Sequence, residues 1–463
     1  MPSEKTWWEK PGLGIQFQIE ARPGWRWNRN YDKFIASMRD NKGRINFNGP
    51  LCKIKEWVTF SKEKAGVDYH MMEIKWHDGI CYFDTKFTDW KTPIDYGKQF
   101  SEESKKVGIP FLYYYSSIFD HNPMFDDIQP LRCATPSHLD YGKWNKPFIV
   151  LLDLIFMFAS WFLLKYYETG VHIKKEEKKG KFFDQIRLNR FHLDPRKYEI
   201  YMLRQLKELI ENYKPDGLWL DWYQLNMDRS ASIIMDFMKT YYPNVVITFN
   251  NSLGWDLKWA HYLAGESHNV KMAWTLGNQH KNSKIPWELI GPAALEWDRM
   301  EARADPFEII RMAAIIMANG GRCVYGMASQ MDGTLFPEIA DQMARLGEWY
   351  IPRKDLFCNA TPMQYKGKKV PGIIVKEKFI RTIGSTYEKD FLIHLICISD
   401  IPKQDLTVKF SLTHWRTIEK IFLEPSKKEL DFRKEEKEIS LIIPKKNVDR
   451  IDTILRVKTS NEV

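Results

Sequence analysis

The chain has 463 residues, of which 44% are hydrophobic and 28% are charged, and its formal net charge is +9 at pH 7. These values are typical of globular proteins and exclude a disordered, a collagen-like or a polytopic membrane chain. The basic excess lies mostly in short local runs, and no zinc-finger, RNA-recognition or helix-turn-helix pattern accompanies them. We therefore expect a globular protein that binds no nucleic acid.

The six cysteines lie far apart, with no Cys-x-x-Cys pair and no cluster of cysteine with histidine. In a chain of this length such spacing predicts buried thiols rather than a disulfide framework or a zinc site. No phosphate-binding loop or dinucleotide fingerprint is present, and we expect neither a metal nor an organic cofactor. The first ten residues, MPSEKTWWEK, lack the apolar core of a secretory signal, which favours a cytoplasmic protein.

The first two-thirds of the chain alternates short apolar runs with longer helical patterns, the rhythm of a parallel α/β protein. Most of the runs are apolar nearly throughout, as in strands that are covered on both faces. Eight such runs in a chain of this length predict a (β/α)8 TIM barrel over residues 1–355. The predicted strands are Leu13–Ile19, Tyr69–Trp76, Ile109–Ser116, Gly217–Trp222, Val245–Asn250, His261–Gly265, Val270–Leu276 and Arg322–Gly326.

An apolar insertion at about residues 143–190 interrupts this rhythm between the third and fourth predicted strands. Its segment Pro147–Leu164 holds a single charge, Asp153, and reaches the length at which a membrane span must be considered. A span here would divide the barrel across a bilayer, which argues against it. Three interpretations stay open: a buried or oligomer-facing helix, an anchor on a membrane surface, and an insertion foreign to the native fold.

The last hundred residues have a different pattern. From about Thr361 the chain shows short β-rich runs that are separated by turn and charged residues, and no long helical pattern appears. This predicts a C-terminal antiparallel β-sandwich over residues 361–463.

Two acidic residues stand at the ends of predicted barrel strands, where barrel enzymes carry their active sites. Asp221 lies near the end of the fourth strand between Trp219 and Trp222, and Glu266 follows the sixth. Paired carboxylates with aromatic walls are what glycosidic cleavage needs, one to attack the anomeric carbon and one to protonate the leaving oxygen. The alternative for Asp221 is a structural aspartate with satisfied hydrogen bonds.

Three stretches carry a resemblance to a known family: KWHDGICYFDTKFTDWKTPIDYGKQF, KKVGIPFLYYYS and LKELIENYKPDGLWLDW. Their order and spacing resemble those of the α-L-fucosidases of glycoside hydrolase family 29. The resemblance covers about residues 10–350, and the tail is similar to the family's C-terminal β-domain. It implies a retaining exo-glycosidase that acts on an oligosaccharide or glycoconjugate.

The resemblance also implies residue roles. Asp221 is expected to be the nucleophile, and Glu266 the acid/base, with Glu288 and Glu296 as alternatives for the second role. His77 is expected to hold a sugar hydroxyl. The further residues expected in the sugar-binding pocket are Gln18, Glu20, Trp76, Tyr114, Trp219, Trp222, Asn250, Glu288 and Trp297.

At three positions where the family binds the hydroxyl groups of its sugar, this sequence has a different residue. The opening histidine is replaced within GIQFQIE by Gln18 or Glu20, Trp76 replaces the first histidine of the His-His-Asp-Gly block, and Asn250 stands where an arginine is expected. A site built to bond one hydroxyl rejects sugars that lack it, so the sugar need not be fucose. A catalytically inactive carbohydrate-binding relative and a membrane-associated scaffold remain the alternatives.

Overall fold

The computed structural model describes residues 6–19, 51–76, 79–117, 122, 124, 195–221, 228–253, 260–297, 300–363, 372–410, 418–435 and 438–460. The apolar insertion at about residues 143–190, with its segment Pro147–Leu164, lies outside the described residues, so its three interpretations stay predictions. Among the helices that the structure describes, none is long and apolar enough to cross a membrane.

The N-terminal part of the chain forms a barrel of eight parallel strands, which confirms the predicted fold class. The strands are β1 Gly12–Gln18, β2 Tyr69–Lys75, β3 Phe111–Ser116, β4 Gly217–Asp221, β5 Val246–Phe249, β6 Leu263–Glu266, β7 Trp287–Pro292 and β8 Arg322–Ala328. Their order is β5-β4-β3-β2-β1-β8-β7-β6, with β1 paired to both β2 and β8.

The barrel closes between β5 and β6, the two ends of this order. The Thr248 hydroxyl donates to the carbonyl of Tyr262 at 2.7 Å, and the backbone nitrogen of Ile247 donates to Nδ1 of His261 at 3.1 Å. Side chains thus supply hydrogen bonds across this seam.

Helices follow most of the strands in sequence, although the described residues between β5 and β6 contain none. They are α1 Ile54–Glu63, α2 Tyr96–Val107, α3 Pro195–Tyr213, α4 Asp228–Tyr241, α5 Val270–His280, α6 Glu308–Ala318, α7 Pro337–Tyr350 and α8 Lys354–Cys358.

Alternate residues along each strand face the barrel interior or the helices, as the two-residue period of a strand requires. On β1, Phe17 faces outward and stacks on Trp57 of α1, with 5.3 Å between the ring centroids. On β2, His70 faces outward, and its ring nitrogens lie 2.8 Å and 2.9 Å from the hydroxyls of Ser61 and Ser104. Both faces are therefore buried, which explains the nearly continuous apolar runs in the sequence.

The prediction of a strand at Val270–Leu276 is wrong, because these residues belong to helix α5. The side chain of Asn269 accepts a hydrogen bond from the backbone nitrogen of Met272 and caps the helix. The two buried residues of α5 lie four positions apart, as on one face of a helix. The seventh strand is instead β7, whose sequence WELIGP carries a charged residue within an apolar run.

The C-terminal part forms two antiparallel sheets, which confirms the predicted β-sandwich. Its strands are β9 Ala360–Pro362, β10 Ile374–Val375, β11 Ile380–Tyr387, β12 Asp390–Cys397, β13 Leu406–Phe410, β14 Ile418–Glu424, β15 Lys428–Leu430, β16 Phe432–Glu435, β17 Glu438–Ile443 and β18 Asp452–Thr459. One sheet has the order β10-β13-β17-β16 and the other has the order β15-β14-β18-β12-β11-β9.

The larger sheet packs against the barrel as well as against the smaller sheet. Along β12, Ile393 and Leu395 belong to the core between the two sheets. Leu392 and Ile396, on the opposite face, belong to the core that continues into the barrel, where α6 contacts β11 and β12. One strand therefore contributes to two cores, because successive side chains point to opposite faces.

Candidate active site

Asp221 is the last residue of β4 and lies two positions beyond Trp219, so both side chains face the barrel interior. Only 6% of the surface of Asp221 is exposed. Its Oδ2 accepts a hydrogen bond from the hydroxyl of Tyr114, and its Oδ1 accepts one from Nδ2 of Asn250 at 2.9 Å. Two donors on the two oxygens fix the plane of the carboxylate and stabilise its charge.

Asn250 links this aspartate to a second acidic side chain. The same Nδ2 donates to Oε1 of Glu266 at 2.9 Å. Oδ1 of Asn250 accepts a hydrogen bond from the backbone nitrogen of Asn251, also at 2.9 Å, which fixes the orientation of the amide. The amide nitrogen therefore faces both carboxylates, and the two acids lie on either side of it.

Glu266, the last residue of β6, is half-buried. Its Oε2 lies 3.2 Å from Nε2 of His268 and accepts a longer hydrogen bond, 3.4 Å, from Nε1 of Trp297. Burial alone would raise the pKa of this carboxyl, but the hydrogen bonds from His268 and Asn250 outweigh it and the pKa is lowered. Glu266 is thus held in its ionised form.

His268 stands between two carboxylates. While Nε2 faces Glu266, Nδ1 lies 3.1 Å from Oε2 of Glu296, an exposed side chain. The hydrogen bond with Glu266 raises the pKa of His268, and the neighbouring charge of Glu296 adds to this effect against the cost of burial. His268 was not among the predicted site residues, although its spacing from Glu266, two positions along the chain, was a usable signal.

Tyr114 and Trp219 form the layer beneath Asp221. Their rings stack with centroids 5.3 Å apart and an interplanar angle of 22°. Both residues are buried, and Nε1 of Trp219 donates to Oε1 of Glu288 at 2.8 Å. A continuous set of contacts thus leads from the carboxylate of Asp221 down to Glu288.

Glu288 lies in the floor of the barrel, with no exposed surface. Its Oε2 accepts hydrogen bonds from the hydroxyl of Tyr69 at 2.5 Å and from the guanidinium of Arg322 at 3.3 Å. Burial, together with the charge of Glu288, raises the pKa of Tyr69 well above its usual value, so the phenol stays a neutral donor. The charges of Glu288 and Arg322 compensate each other within the interior.

None of the predicted strands includes Glu288, but the structure places it within a strand. Glu288 is the second residue of β7 and pairs in register with Ala264, whereas Glu266 pairs with Ile290, two residues further along β7. A charged residue within an apolar run argues against a buried strand when only the sequence is considered. The residues that bind Glu288 are distant in sequence and are brought to it only by the fold. The structure does not bring Glu288 together with Asp221 and Glu266.

Trp297 and Gln18 meet at the carboxyl end of β8. A Cβ atom added to Gly326 would overlap the ring of Trp297 and would lie 3.0 Å from Cδ of Gln18. Glycine at this position therefore leaves space for the indole. Gln18, the last residue of β1, also donates from Nε2 to Oε1 of Gln16 at 3.4 Å.

Of the other predicted pocket residues, Trp76 directly follows β2 and is buried. Glu20, His77 and Trp222 lie outside the described residues. Within the part of the chain that the structure describes, no group of three histidine, cysteine, aspartate or glutamate residues is arranged to hold a metal ion.

Several solved structures are similar to this chain along nearly its whole length. The alpha-fucosidase of Thermotoga maritima has 17% sequence identity and a TM-score of 0.64, with 98% of this chain and 96% of that chain covered. Alpha-L-fucosidase isoenzyme 1 from Paenibacillus thiaminolyticus has 18% identity and a TM-score of 0.66, with 98% of each chain covered. At these identities the likeness establishes the fold.

Among curated protein sequences, none matches this chain. A family model described as Alpha-L-fucosidase matches residues 4–352, about three-quarters of the sequence. This match spans the whole barrel, including both acidic strand ends. The chain therefore belongs to the alpha-L-fucosidase family of glycoside hydrolases.

Proposed function

We propose that the protein is a retaining exo-glycosidase that removes α-L-fucose from an oligosaccharide or glycoconjugate, with Asp221 as the nucleophile. In this reaction an oxygen of Asp221 attacks the anomeric carbon while the glycosidic bond breaks, and a covalent glycosyl-enzyme forms. The hydrogen bonds from Tyr114 and Asn250 keep the attacking carboxylate oriented.

Glu266 is the acid/base of this mechanism. It protonates the leaving oxygen in the first step and accepts a proton from the attacking water in the second. The observation that carries the proposal is the shared donor Asn250, which lies 2.9 Å from an oxygen of each acid. One oxygen of each acid therefore lies within twice this distance of the other. This upper bound is below the roughly 6.5–9.5 Å between the carboxyl groups of inverting enzymes and supports the retaining arrangement, in which they are roughly 5–5.5 Å apart.

The sugar site extends from these two acids towards Trp297 and Gln18. Indole faces pack well on the apolar faces of a sugar ring, and amide groups bond its hydroxyls. Trp76, Glu20, His77 and Trp222 complete the proposed pocket, as the sequence analysis expects. Asn250, at the position of the expected arginine, bonds the two carboxylates, so hydroxyl recognition falls to the other residues.

The test uses 4-nitrophenyl α-L-fucoside and the variant Asp221→Ala. We expect this variant to fold and to lose at least about 10³-fold in kcat, because the attacking atom is removed. A matched control is Asp341→Asn, which changes an exposed aspartate on α7, and this variant should keep wild-type activity. Proton NMR of the first product should show the α-anomer before mutarotation.

Three results would contradict the proposal. Undiminished hydrolysis by Asp221→Ala would remove Asp221 from the mechanism. Initial release of the β-anomer would show inversion and would require a different arrangement of the two acids. If the wild-type protein binds fucose but hydrolyses none of a panel of aryl glycosides, the inactive carbohydrate-binding interpretation replaces the enzymatic one.

A further inference from the structure

Glu266, His268 and Glu296 form an unbroken hydrogen-bonded chain from the candidate active site to the surface. Nε2 of His268 lies 3.2 Å from Glu266, and Nδ1 lies 3.1 Å from Glu296. The side chains of His268 and Glu266 are about equally exposed, at 28% and 27%, and Glu296 is 48% exposed. The chain thus begins at an acid beside Asp221 and ends in solvent.

The position of the imidazole is fixed from several sides. The guanidinium of Arg303 donates to the backbone carbonyl of His268 at 3.1 Å, and Arg303 also pairs with Glu308 at 3.3 Å. Trp297 meets the imidazole edge-on, with 6.1 Å between the ring centroids. Among the described residues, the charged groups that face the imidazole are therefore the carboxylates of Glu266 and Glu296, with Arg303 at its backbone.

This arrangement poses a problem for an acid catalyst. A general acid must carry a proton when the leaving group departs, but the pKa of Glu266 is lowered and that of His268 is raised. At neutral pH a single proton shared by the two groups rests on the histidine. At neutral pH Glu266 alone would be deprotonated and would have no proton to give to the leaving group in the first step of the reaction.

We propose that His268 stores the proton that Glu266 delivers to the leaving group, an inference that rests on the proposed function of Glu266. Before the first step the proton moves from Nε2 of His268 to Oε2 of Glu266, along the 3.2 Å contact. The imidazole becomes neutral and keeps its Nδ1 proton, because Glu296 accepts a hydrogen bond from it. Glu296 thus selects the tautomer in which Nε2 is free to give and regain a proton.

The second step of the reaction restores the starting state. When the leaving oxygen takes its proton, Glu266 becomes a carboxylate again and serves as the base. Water attacks the anomeric carbon, the bond to Asp221 breaks, and the water proton passes to Glu266. From Glu266 it returns to Nε2 of His268, so that one turnover consumes and replaces one proton.

The experiment compares two substrates, phenyl and 2,4-dinitrophenyl α-L-fucoside. The dinitrophenolate leaves without protonation, whereas the phenolate needs the acid. His268→Gln keeps an amide donor towards Glu266 but cannot store a proton. We expect it to lose about 10²-fold in kcat/KM on the phenyl substrate and little on the dinitrophenyl substrate. The basic limb of its pH profile should move down by about 2 units, the separation of ordinary histidine and glutamate pKa values.

Two further variants sharpen the test. Glu296→Gln removes one of the two charges facing the imidazole, and its basic limb should lie between those of wild type and His268→Gln. His268→Ala should regain activity on the phenyl substrate when free imidazole is added. The matched control is His280→Gln on α5, whose imidazole lies tilted against the ring of Trp287, with 6.1 Å between the centroids; it should match wild type on both substrates.

Glu266→Gln is measured beside these variants to separate the two proposals. If Glu266→Gln loses activity on the phenyl substrate while His268→Gln behaves as wild type in rate and pH profile, the proton store is overturned and the role of Glu266 stands. If neither variant shows a leaving-group dependence, both assignments fail. Should His268→Gln not fold, the position of the basic limb in Glu296→Gln decides the question.

Discussion

Asp221 and Glu266 share one hydrogen-bond donor, the side-chain amide nitrogen of Asn250, which lies 2.9 Å from an oxygen of each. Asn250 directly follows β5 and Glu266 ends β6, the two strands at the seam of the barrel. One amide therefore joins three neighbouring strand ends and sets the separation of the two acids. This relationship makes the site sensitive to a single neutral residue.

Replacing Asn250 should lower kcat while the protein still folds. Asn250→Ala removes the shared donor, and we expect kcat on 4-nitrophenyl α-L-fucoside to fall about 10²-fold, as for loss of one well-placed donor. Asn250→Asp should be worse at neutral pH, because a third carboxylate then repels the other two.

The control for this pair is Asn278→Ala on α5, which removes a side-chain hydrogen bond to the carbonyl of Trp274. It should leave kcat unchanged. Equal rates for wild type and Asn250→Ala would show that the shared donor has no part in positioning the acids.

Glu288→Gln should destabilise the protein without changing its acid catalysis. The variant leaves the guanidinium of Arg322, which is 1% exposed, without its charge partner. Breaking a buried ion pair from one side costs about 3–5 kcal/mol in the free energy of unfolding. Urea unfolding measures this cost, and Asp341→Asn, which breaks an exposed pair with Arg345, should cost less than about 1 kcal/mol.

Activity of the folded Glu288→Gln protein separates this structural role from an acid/base role. We expect phenyl and dinitrophenyl α-L-fucosides to be affected equally. A selective loss on the phenyl substrate would restore Glu288 as a candidate for the acid.

Gly326→Ala should disturb the sugar site through Trp297. The added methyl group would overlap the indole and push it away from Gln18 and Glu266. We expect kcat/KM on 4-nitrophenyl α-L-fucoside to fall about tenfold, equivalent to about 1.4 kcal/mol of lost transition-state binding. Gly372→Ala, where no atom lies within 4 Å of the new methyl group, is the control. An unaltered kcat/KM would remove Trp297 from the proposed site.

His70 should make the fold sensitive to acid. Burial lowers the pKa of this imidazole from 6.5 to about 3 in the folded protein. His70 binds a proton at higher pH in the unfolded chain than in the folded one. Protonation of His70 therefore costs no stability above about pH 6.5, and the free energy of unfolding decreases as the pH falls from there towards 3. In this window the free energy of unfolding falls by about 1.4 kcal/mol for each unit by which the pH is lowered. Urea unfolding of wild type and His70→Gln between pH 7 and pH 4 should give a shallower pH dependence for the variant.

The control for this effect is Phe100→Leu, which reduces packing against His70, where the ring centroids lie 4.8 Å apart, but removes no titrating group. It should lower stability at every pH and keep the wild-type pH dependence. Parallel curves for wild type and His70→Gln would contradict the assignment.

The sequence by itself determined the fold class and singled out Asp221 and Glu266 as acidic residues at the ends of barrel strands. Strands buried on two faces give nearly continuous apolar runs, and Asp221 and Glu266 stood out because a charge at the end of such a run is costly without a purpose. The same local reasoning failed for the seventh strand. The run at 270–276 is apolar enough for a strand, yet Asn269 caps it as a helix, and the charge within WELIGP concealed a true strand.

Only the tertiary structure decided what the acids contact. The hydrogen bonds that define the site join residues far apart in the chain: Tyr114 reaches Asp221 over 107 positions, and Tyr69 reaches Glu288 over 219. No local pattern encodes such pairs, because they follow from strand register and barrel closure. The bridging position of His268 between Glu266 and Glu296, 28 positions further along the chain, arises in the same way. Residue types predicted the chemistry, and closure of the barrel assigned each group its partners.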